Sequence, residues 1–326
     1  MTVQMTIVGL GQIGASFGLA LAGRRDQVNR LGYDRELGIA RRAEKLGAVD
    51  KVAFNLPASV EQADLVLLAL PIDQIRETLR IIAPDLREGA VVMDTSPVKA
   101  AVAAWMTEFL PAERFYIGLT PVINPNYLAE IAIGVEAARA DLFKGGLIAI
   151  TSPLRAPAEA LKLAADLVNL VGAKPLFSDT LEVDGLLAAT YTLPQLLAAA
   201  LVGATVSQPG WQEGRKVAGR DYAQATGPAL YPAKTETLRD QALLNRDNIT
   251  RVLDNLIASL SQMRQAIQAG DSAGLEEQLA QARQARQEWL RQRVNSDWVG
   301  EEAPPTDAPK TSDIFGRFVG LGRKRD

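Results

Sequence analysis

The 326-residue chain contains neither cysteine nor histidine. Without cysteine it can form no disulfide, no thiolate nucleophile and no cysteine–metal centre. Without histidine it lacks the side chain that most often serves as a general base near neutral pH and as a metal ligand. Any chemistry must therefore use carboxylates, lysine, arginine, hydroxyl groups or a bound cofactor, and we expect no metal site.

The chain also lacks an excess of charge of one sign, since 35 basic and 38 acidic residues leave a formal net charge of −3. The absence of a basic excess argues against a nucleic-acid partner. No uninterrupted apolar run approaches about 18 residues, so no transmembrane helix is expected. The short apolar segment near the N-terminus is followed at once by glycines, which is unlike a signal peptide. We therefore expect a cytoplasmic protein.

Short apolar segments alternate with segments of helical periodicity in the first half of the chain. Seven strands are predicted, at residues 5–8, 30–33, 64–70, 90–93, 115–119, 147–151 and 174–177, the last at a sheet edge. Helices are predicted between them, after the first glycine turn, at residues 37–46, around residues 75–82 and at residues 157–171. Continuous apolar strands separated by helices predict an α/β fold whose parallel sheet is covered on both faces.

From about Asp179 onward the strand signals fade and long helices take over. Residues 186–202 are apolar almost all round, as in a helix buried in a domain or dimer core. We predict a Rossmann-type domain at residues 1–178, an all-helical domain at 179–294 and a flexible tail at 295–326. The first part of the tail is rich in proline and acidic residues, which is typical of a flexible segment. Its last part is apolar and basic, which offers the alternative of a short helix that contacts a partner or membrane surface. We favour a solvated segment.

A glycine motif, Gly9-Leu10-Gly11-Gln12-Ile13-Gly14, lies between the first predicted strand and the first helix. Gly9 permits the tight turn, Gly11 lets the main chain approach a pyrophosphate, and Gly14 allows the helix to pack close to the sheet. The N-terminus of the helix, which includes Gln12 and Ile13, offers N–H groups to phosphate. This arrangement predicts binding of a nicotinamide dinucleotide, NAD or NADP.

Asp34 lies twenty residues after Gly14, at the end of the second predicted strand. An acid at this point binds the adenosine ribose hydroxyls. Its charge would repel a 2′-phosphate and so favours NAD, whereas the adjacent Arg35 offers the alternative of stacking on adenine or pairing with that phosphate. Leu70 and Pro71 end the third strand and complete the predicted cofactor-binding residues.

Several segments in order resemble the prephenate and arogenate dehydrogenases of tyrosine biosynthesis. The resemblance runs from Met5 to about Arg293. Its segments are GLGQIGASFGLAL at residues 9–21, ALPIDQI at 69–75, VVMDTSPVK at 91–99, ADLFKGG at 140–146 and LVGAKP at 170–175, with Asn245-Arg246 opening a long helix. The resemblance implies a Rossmann domain followed by a helical domain that forms a homodimer. It also implies oxidation of a ring hydroxyl of prephenate or arogenate, with hydride passing to the nicotinamide and carbon dioxide leaving.

The catalytic positions depart from that family. The resemblance implies a histidine that holds the reacting hydroxyl and precedes a proline. In this chain Thr120 takes the place of that histidine, before Pro121. The serine before a Val-Lys pair is replaced by Pro97, with Ser96 beside it. We expect Thr120 to hydrogen bond in place of the histidine, although threonine is a poor base. We expect Ser96 or Thr95 to supply the missing hydroxyl.

Further departures lie in the second predicted domain. A His-Asp pair becomes Val183-Asp184, and a His-Leu-Pro-His run ends in Gln195. An arginine that binds the substrate carboxylate is replaced by Gly227, although Arg220 is nearby. Asp184 would be a base if burial raised its pKa; the alternative is a helix cap or another polar contact. Gln195 is expected to face a cleft or interface and to bind substrate.

Two cations complete the candidate site. Lys99 is expected to contact substrate or a cofactor phosphate, the alternative being a solvated lysine in the first turn of a helix. Arg220 is able to bind a carboxylate bidentately, the alternative being a surface ion pair.

Three functions are consistent with these residues. The first is an active NAD(P)-dependent dehydrogenase of the prephenate or arogenate type. The second is a dinucleotide-binding paralogue that is inactive or acts on another substrate. The third is a β-hydroxyacid or imino acid dehydrogenase, which is disfavoured because residues 184–195 contain no lysine. We expect the first.

Overall fold

The computed structural model describes residues 2–130, 132–153, 156–231 and 234–296. The described chain falls into two units, the first ending at Asp184 and the second beginning at Gly185. The domain boundary expected near Asp179 stays a prediction. Most of the expected tail, from residue 297 onward, lies outside the described residues.

The first unit is built on one eight-stranded sheet. Its strands are β1 (Val3–Val8), β2 (Val28–Tyr33), β3 (Lys51–Val52), β4 (Leu65–Leu68), β5 (Val91–Asp94), β6 (Phe115–Pro121), β7 (Leu147–Thr151) and β8 (Lys174–Phe177). They lie in the order β3-β2-β1-β4-β5-β6-β7-β8. The chain therefore reverses its direction of travel across the sheet between β1 and β4, as in doubly wound dinucleotide-binding folds.

Helices cover the sheet. They are α1 (Gln12–Ala20), α2 (Leu37–Lys45), α3 (Leu56–Val60), α4 (Ile72–Ile82), α5 (Lys99–Phe109) and α6 (Ala158–Leu170). Alternate strand residues point to opposite faces, and each face has its own core. Helices α1, α2 and α6 pack on the face of Ile7 and Met93, whereas α3, α4 and α5 pack on the face of Val8 and Val92. The expected fold class, an α/β unit followed by helices, is confirmed.

The last two strands differ from the parallel sheet that the sequence predicts. Strand β7 pairs antiparallel with β6, with Thr120 opposite Ala149, and β8 pairs parallel with β7. A parallel return needs a crossover, usually a helix. The described part of the β6–β7 connection instead holds two short 3₁₀ turns, Pro125–Tyr127 and Val135–Ala137.

Arg30 is a charged residue in the core of the first unit, with no exposed side-chain surface. Its guanidinium donates to both carboxylate oxygens of Asp50, at 3.1 and 2.7 Å, and to the main-chain oxygens of Gly18 and Gly47. Burial alone would raise the pKa of Asp50, but hydrogen bonds and charge from Arg30 hold it below its usual value. The buried cation thus joins the end of α1, the turn after α2 and the start of β3.

The second unit is helical. Helix α7 (Thr180–Leu187) begins in the first unit and is followed by a π-helical turn (Ala188–Thr192), α8 (Leu193–Val206), α9 (Trp211–Val217), α10 (Arg220–Thr226), a 3₁₀ turn (Gly227–Leu230), α11 (Thr235–Leu244), α12 (Arg246–Ala269) and α13 (Ser272–Asn295). Its small core contains Ala188, Ile249 and Val252.

The π-helical turn has a local cause in Pro194. Proline has no N–H to offer the carbonyl four residues earlier, so the helix is disturbed in the preceding turn. The Gln195 side-chain nitrogen donates to the Tyr191 carbonyl oxygen at 3.0 Å. The side chain therefore stabilises a carbonyl group in the turn that the proline disturbs.

The continuous helix from Thr180 to Val206 is long and apolar enough to cross a membrane by length and composition. This length and composition contrast with the expectation of no transmembrane helix, which was drawn from uninterrupted apolar runs. One such helix is weak evidence for a membrane span, because the core helices of soluble proteins pass the same test. Asp184 and Gln195 within this helix are 3% and 5% exposed, so the helix carries polar groups that the protein itself buries.

We expect Arg30→Ala to lower the free energy of unfolding by about 3–5 kcal/mol, because it leaves buried acceptors without their donor. Arg25→Ala is the matched control, since Arg25 bonds the same Asp50 carboxylate from a side chain that is 68% exposed. The control should cost less than about 1 kcal/mol. Chemical denaturation of both variants measures the difference, and equal losses would contradict this account.

Candidate functional site

The carboxyl ends of β1 and β4 flank the point at which the strand order reverses, where open α/β sheets bind ligands. The glycine motif begins there. Gly9 has a φ of +91°, and a Cβ at this residue would overlap the Ala69 carbonyl oxygen. A Cβ at Gly14 would overlap the Gly9 carbonyl oxygen. These glycines therefore allow main-chain contacts that any other residue would prevent.

Gly11 differs from its neighbours in facing open space. A Cβ at Gly11 would meet nothing within 4 Å. Helix α1 starts at the next residue and has no side-chain hydrogen bond at its N-cap. Because the first turn of a helix offers N–H groups and a partial positive charge, this opening fits a pyrophosphate.

Asp34 follows β2 and contacts the glycine motif directly. Its Oδ2 accepts from the Leu10 N–H at 2.8 Å, and its Oδ1 accepts from the Glu36 N–H at 2.9 Å. The half-buried carboxylate is thus held beside the turn that would receive the dinucleotide, while Arg35 is exposed. This position suits hydrogen bonding to ribose hydroxyls.

The remaining cofactor candidates also lie at this edge. Leu70 packs near Gly9, and Pro71 precedes α4. The Gln12 side chain donates to the Ala137 carbonyl oxygen at 3.3 Å, and Ile13 packs against the core. Gln12 and Ile13 therefore contribute to the candidate cofactor site through their main chain and through packing.

A buried polar cluster lies between the end of β5 and the first half of β6, with Asp94 at its centre. Asp94 is completely buried. Its Oδ2 accepts from the Ser96 N–H at 2.7 Å and the Lys99 Nζ at 3.0 Å, and its Oδ1 accepts from the Tyr116 hydroxyl at 2.7 Å. Three donors thus satisfy one carboxylate that has no access to water.

The cluster gives Lys99 a location that contradicts the alternative of a solvated lysine in the first turn of a helix. Its side chain is completely buried and ion-paired with Asp94. Burial lowers the pKa of Lys99, and the Asp94 charge opposes this. Burial also raises the pKa of Tyr116 well above its ordinary value, with the Asp94 charge acting in the same direction. The ammonium group is paired with Asp94 in the protein interior, and contact of Lys99 with substrate or a cofactor phosphate stays a prediction.

Asp184 also differs from the base that was one of its two expected roles. Its Oδ1 accepts from the Lys99 N–H at 2.5 Å, and its Oδ2 accepts from the Ala100 N–H at 2.9 Å. Burial raises its pKa, and these two main-chain hydrogen bonds act against the rise. Both oxygens are used to cap α5, which is the alternative role weighed for this residue.

Thr120 lies on β6, on the same face as Tyr116 and Gly118 because side chains alternate along a strand. It is 7% exposed, and within the described residues its hydroxyl has no hydrogen-bond partner. The paired strands place Asp94 opposite Gly118, so Thr120 is two residues further toward the carboxyl edge. An unpaired buried hydroxyl there is suited to a hydrogen bond with a bound molecule.

Ser96 is 1% exposed, and its hydroxyl donates to the Val98 carbonyl oxygen at a long 3.4 Å.

The first unit brings Thr120, Ser96, Lys99 and Asp184 to the β5–β6 side of the sheet. Gln195 and Arg220 lie in the second unit, where Gln195 is buried and Arg220 is the exposed first residue of α10.

The structure adds residues that the sequence argument did not select. Asp94 was noted only as the end of a strand, and Tyr116 only as part of one. A Cβ at Gly118 would overlap the Thr151 hydroxyl, and in the described chain that hydroxyl also has no partner. A polar residue at the end of each of two neighbouring strands was the available signal.

Two domain families match consecutive parts of the chain. The nucleotide-binding domain of prephenate dehydrogenase matches residues 17–176. The dimerization domain of prephenate dehydrogenase matches residues 180–281. The chain belongs to the prephenate dehydrogenase family. Its first unit is accordingly a nucleotide-binding Rossmann domain, and the expected resemblance is confirmed.

Individual relatives agree with this membership. A cyclohexadienyl dehydrogenase from Zymomonas mobilis is 28% identical over 285 residues, which cover 86% of this chain and 94% of that protein. A prephenate dehydrogenase from Bacillus subtilis is 25% identical over 276 residues, covering 82% and 71%. The structure of A. aeolicus prephenate dehydrogenase in complex with hydroxyphenyl propionate and NAD+ is similar in fold, with a TM-score of 0.78 at 24% identity and coverage of 88% and 98%.

We expect Gly11→Ala to preserve the fold and weaken cofactor binding. Gly11 has a φ of −69°, which is ordinary for alanine, and the added methyl group would meet no protein atom within 4 Å. It would instead occupy the space through which a pyrophosphate approaches, raising the NADH dissociation constant at least about tenfold.

The matched control for this substitution is Gly38→Ala, an exposed glycine of α2 whose Cβ would also meet nothing within 4 Å. NADH fluorescence titration measures the affinity, and thermal unfolding verifies the fold. Unchanged affinity in Gly11→Ala would contradict the assignment of this opening to pyrophosphate.

Proposed function

We propose that this chain is an NAD(P)-dependent dehydrogenase that oxidises a cyclohexadienyl substrate, prephenate or arogenate, with loss of carbon dioxide. The observation that carries the proposal is the match of both domains to prephenate dehydrogenase, together with an open glycine turn at the switch point of the sheet. The named activities of the relatives support the same reaction class.

The bound nicotinamide would accept the hydride from the carbon that bears the ring hydroxyl. The chain would hold the dinucleotide through Gly9, Gly11 and Gly14, the first turn of α1 and the Asp34 carboxylate. Leu70 and Pro71 would border it at the end of β4. These residues would bind and orient the cofactor. Because aromatisation drives the reaction, such positioning supplies much of the reduction of its activation barrier.

Thr120 would hydrogen bond to the reacting hydroxyl through its unpaired Oγ1. An alcohol is able to orient that hydroxyl but is a poor acceptor for its proton. The rate should therefore fall below that of a histidine-assisted enzyme by roughly 10²–10⁴-fold. Ser96 offers a second hydroxyl close by, and Gln195 and Arg220 remain the candidates for substrate binding in the second unit.

The helical unit would form a homodimer. The matching domain family is described as a dimerization domain. In the single chain, large apolar side chains are exposed along α7, α8, α12 and α13, namely Leu186, Leu197, Leu260 and Trp289. A second copy of the chain would remove this apolar surface from water, which is favourable. The cytoplasmic location stays a prediction.

A second candidate function is dinucleotide binding without turnover. It is favoured by the absence of histidine from the whole chain and by Gly227 at the position expected for the arginine that binds the substrate carboxylate. This function predicts NADH binding with no formation of product.

The deciding assay follows NADH or NADPH absorbance with prephenate and with arogenate, each tested with both oxidised cofactors. Turnover above a no-enzyme control, reduced at least about tenfold in Thr120→Val, is the expected result. Thr107→Val is the matched control, because Thr107 is exposed on α5 and its hydroxyl donates to the Ala103 carbonyl oxygen within the same helix. Cofactor binding without turnover on either substrate would favour the second candidate.

Cofactor preference provides a separate prediction. The Asp34 carboxylate is held beside the glycine turn and would repel a 2′-phosphate, so NADH should bind more tightly than NADPH. Asp34→Asn should narrow the ratio of the two dissociation constants, whereas Glu36→Gln, an exposed acid two residues away, should leave it unchanged. Tighter NADPH binding by the wild-type protein would assign the dominant contact to Arg35.

A further inference from the structure

The loop between β5 and α5, residues 95–98, lies between two buried carboxylates. Asp94 ends the strand before the loop and accepts the Ser96 N–H at 2.7 Å. Asp184 comes from α7, 85 residues away from Lys99, and contacts the first turn of the helix after the loop. The loop is thus held at both of its ends by negatively charged side chains.

Asp184 supplies the cap that the local sequence does not provide. The N-cap residue of α5 is Val98, which has no polar side-chain atom. A helix begins with N–H groups that lack partners within it, and a side-chain oxygen usually accepts one of them. The two oxygens of Asp184 accept two, from Lys99 and Ala100. The partial positive charge of the helix N-terminus stabilises the buried carboxylate in return.

Lys99 links the two carboxylates. Its main-chain N–H donates to Asp184, and its Nζ donates to Asp94 at 3.0 Å. The Lys99 ammonium therefore sets the end of β5 and the start of α5 at a fixed separation. Any shift of the first turn of α5 would disturb the Asp94 cluster, which also holds the Ser96 main chain and the Tyr116 hydroxyl.

The position of this loop relates it to one half of a dinucleotide. Asp34 follows β2 on one side of the β1–β4 switch point, and the loop follows β5 on the other side. A dinucleotide spans that crevice, with its adenosine ribose at the acid after β2. The loop after β5 is therefore on the side of the nicotinamide half.

We propose that Asp184 is a positioning residue that holds the β5–α5 loop in place beside the nicotinamide half of the bound dinucleotide. The proposal rests on the cofactor-binding part of the proposed function. Asp184 acts through the first turn of α5 and through Lys99, since its two oxygens accept the main-chain N–H groups of Lys99 and Ala100.

Hydrogen exchange tests the cap without reference to activity. In Asp184→Ala, peptides covering residues 95–104 should exchange about five- to tenfold faster than in the wild-type protein, the loss expected for one helix cap. Asp184→Asn retains one acceptor and should give an intermediate increase, and it serves where the alanine variant does not fold. Glu182→Gln, an exposed carboxylate on the same helix, is the matched control. Unchanged exchange in both Asp184 variants would overturn the proposal.

Ligand affinity tests the positioning role. ADP-ribose contains the adenosine half of the dinucleotide but no nicotinamide. Asp184→Ala, or Asp184→Asn in its place, should raise the NADH dissociation constant about tenfold while changing that of ADP-ribose by less than about twofold. Equal changes for both ligands would indicate a general structural loss and overturn the positioning role while leaving the proposed function intact. A wild-type protein that bound neither ligand would overturn both.

Discussion

The close approach of α1 to the sheet is the constraint on which the nucleotide-binding unit depends. A Cβ at Gly14 would overlap the Gly9 carbonyl oxygen, and a Cβ at Gly18 would overlap the Ala48 carbonyl oxygen. Because both residues lack that atom, the helix lies directly against the turns that follow β1 and α2. Its N-terminus is thereby placed at the switch point, and Asp34 reaches the same turn through the Leu10 N–H.

The other side of the crevice is organised by charge rather than by close packing. Asp94 is buried together with the ammonium of Lys99 and the hydroxyl of Tyr116, and every hydrogen bond among them replaces one that water would have made. Removing one partner from such a cluster lowers the stability of the fold, because it leaves a buried charge unpaired. The cluster therefore holds the loop bearing Ser96 in its geometry.

The contrast between the two halves has a chemical meaning. The residues proposed to bind the dinucleotide follow the expected pattern, whereas Thr120 and Gly227 stand at positions where the resemblance implies a base and a cation. In the proposed reaction, orientation and aromatisation would still contribute to the rate, whereas proton removal would lose the assistance of a base.

The sequence by itself determined seven of the eight strands, the glycine turn and the acid after β2, because each depends on neighbours within about one βαβ unit. It did not predict the two-residue strand β3 or helices α3 and α5. Strand β7, predicted at residues 147–151, has those bounds, but its antiparallel direction depended on how the β6–β7 connection returns across the sheet. The roles of Lys99 and Asp184 were also decided by tertiary structure. From its local sequence, Lys99 resembles a solvated lysine at the start of a helix. Its surroundings come from distant parts of the chain. Tyr116 on β6 is 22 residues from Asp94, to which its hydroxyl donates, and Asp184 on α7 is 85 residues from Lys99, whose main-chain N–H it accepts. Burial and charge pairing depend on such distant neighbours, and local periodicity carries no information about them.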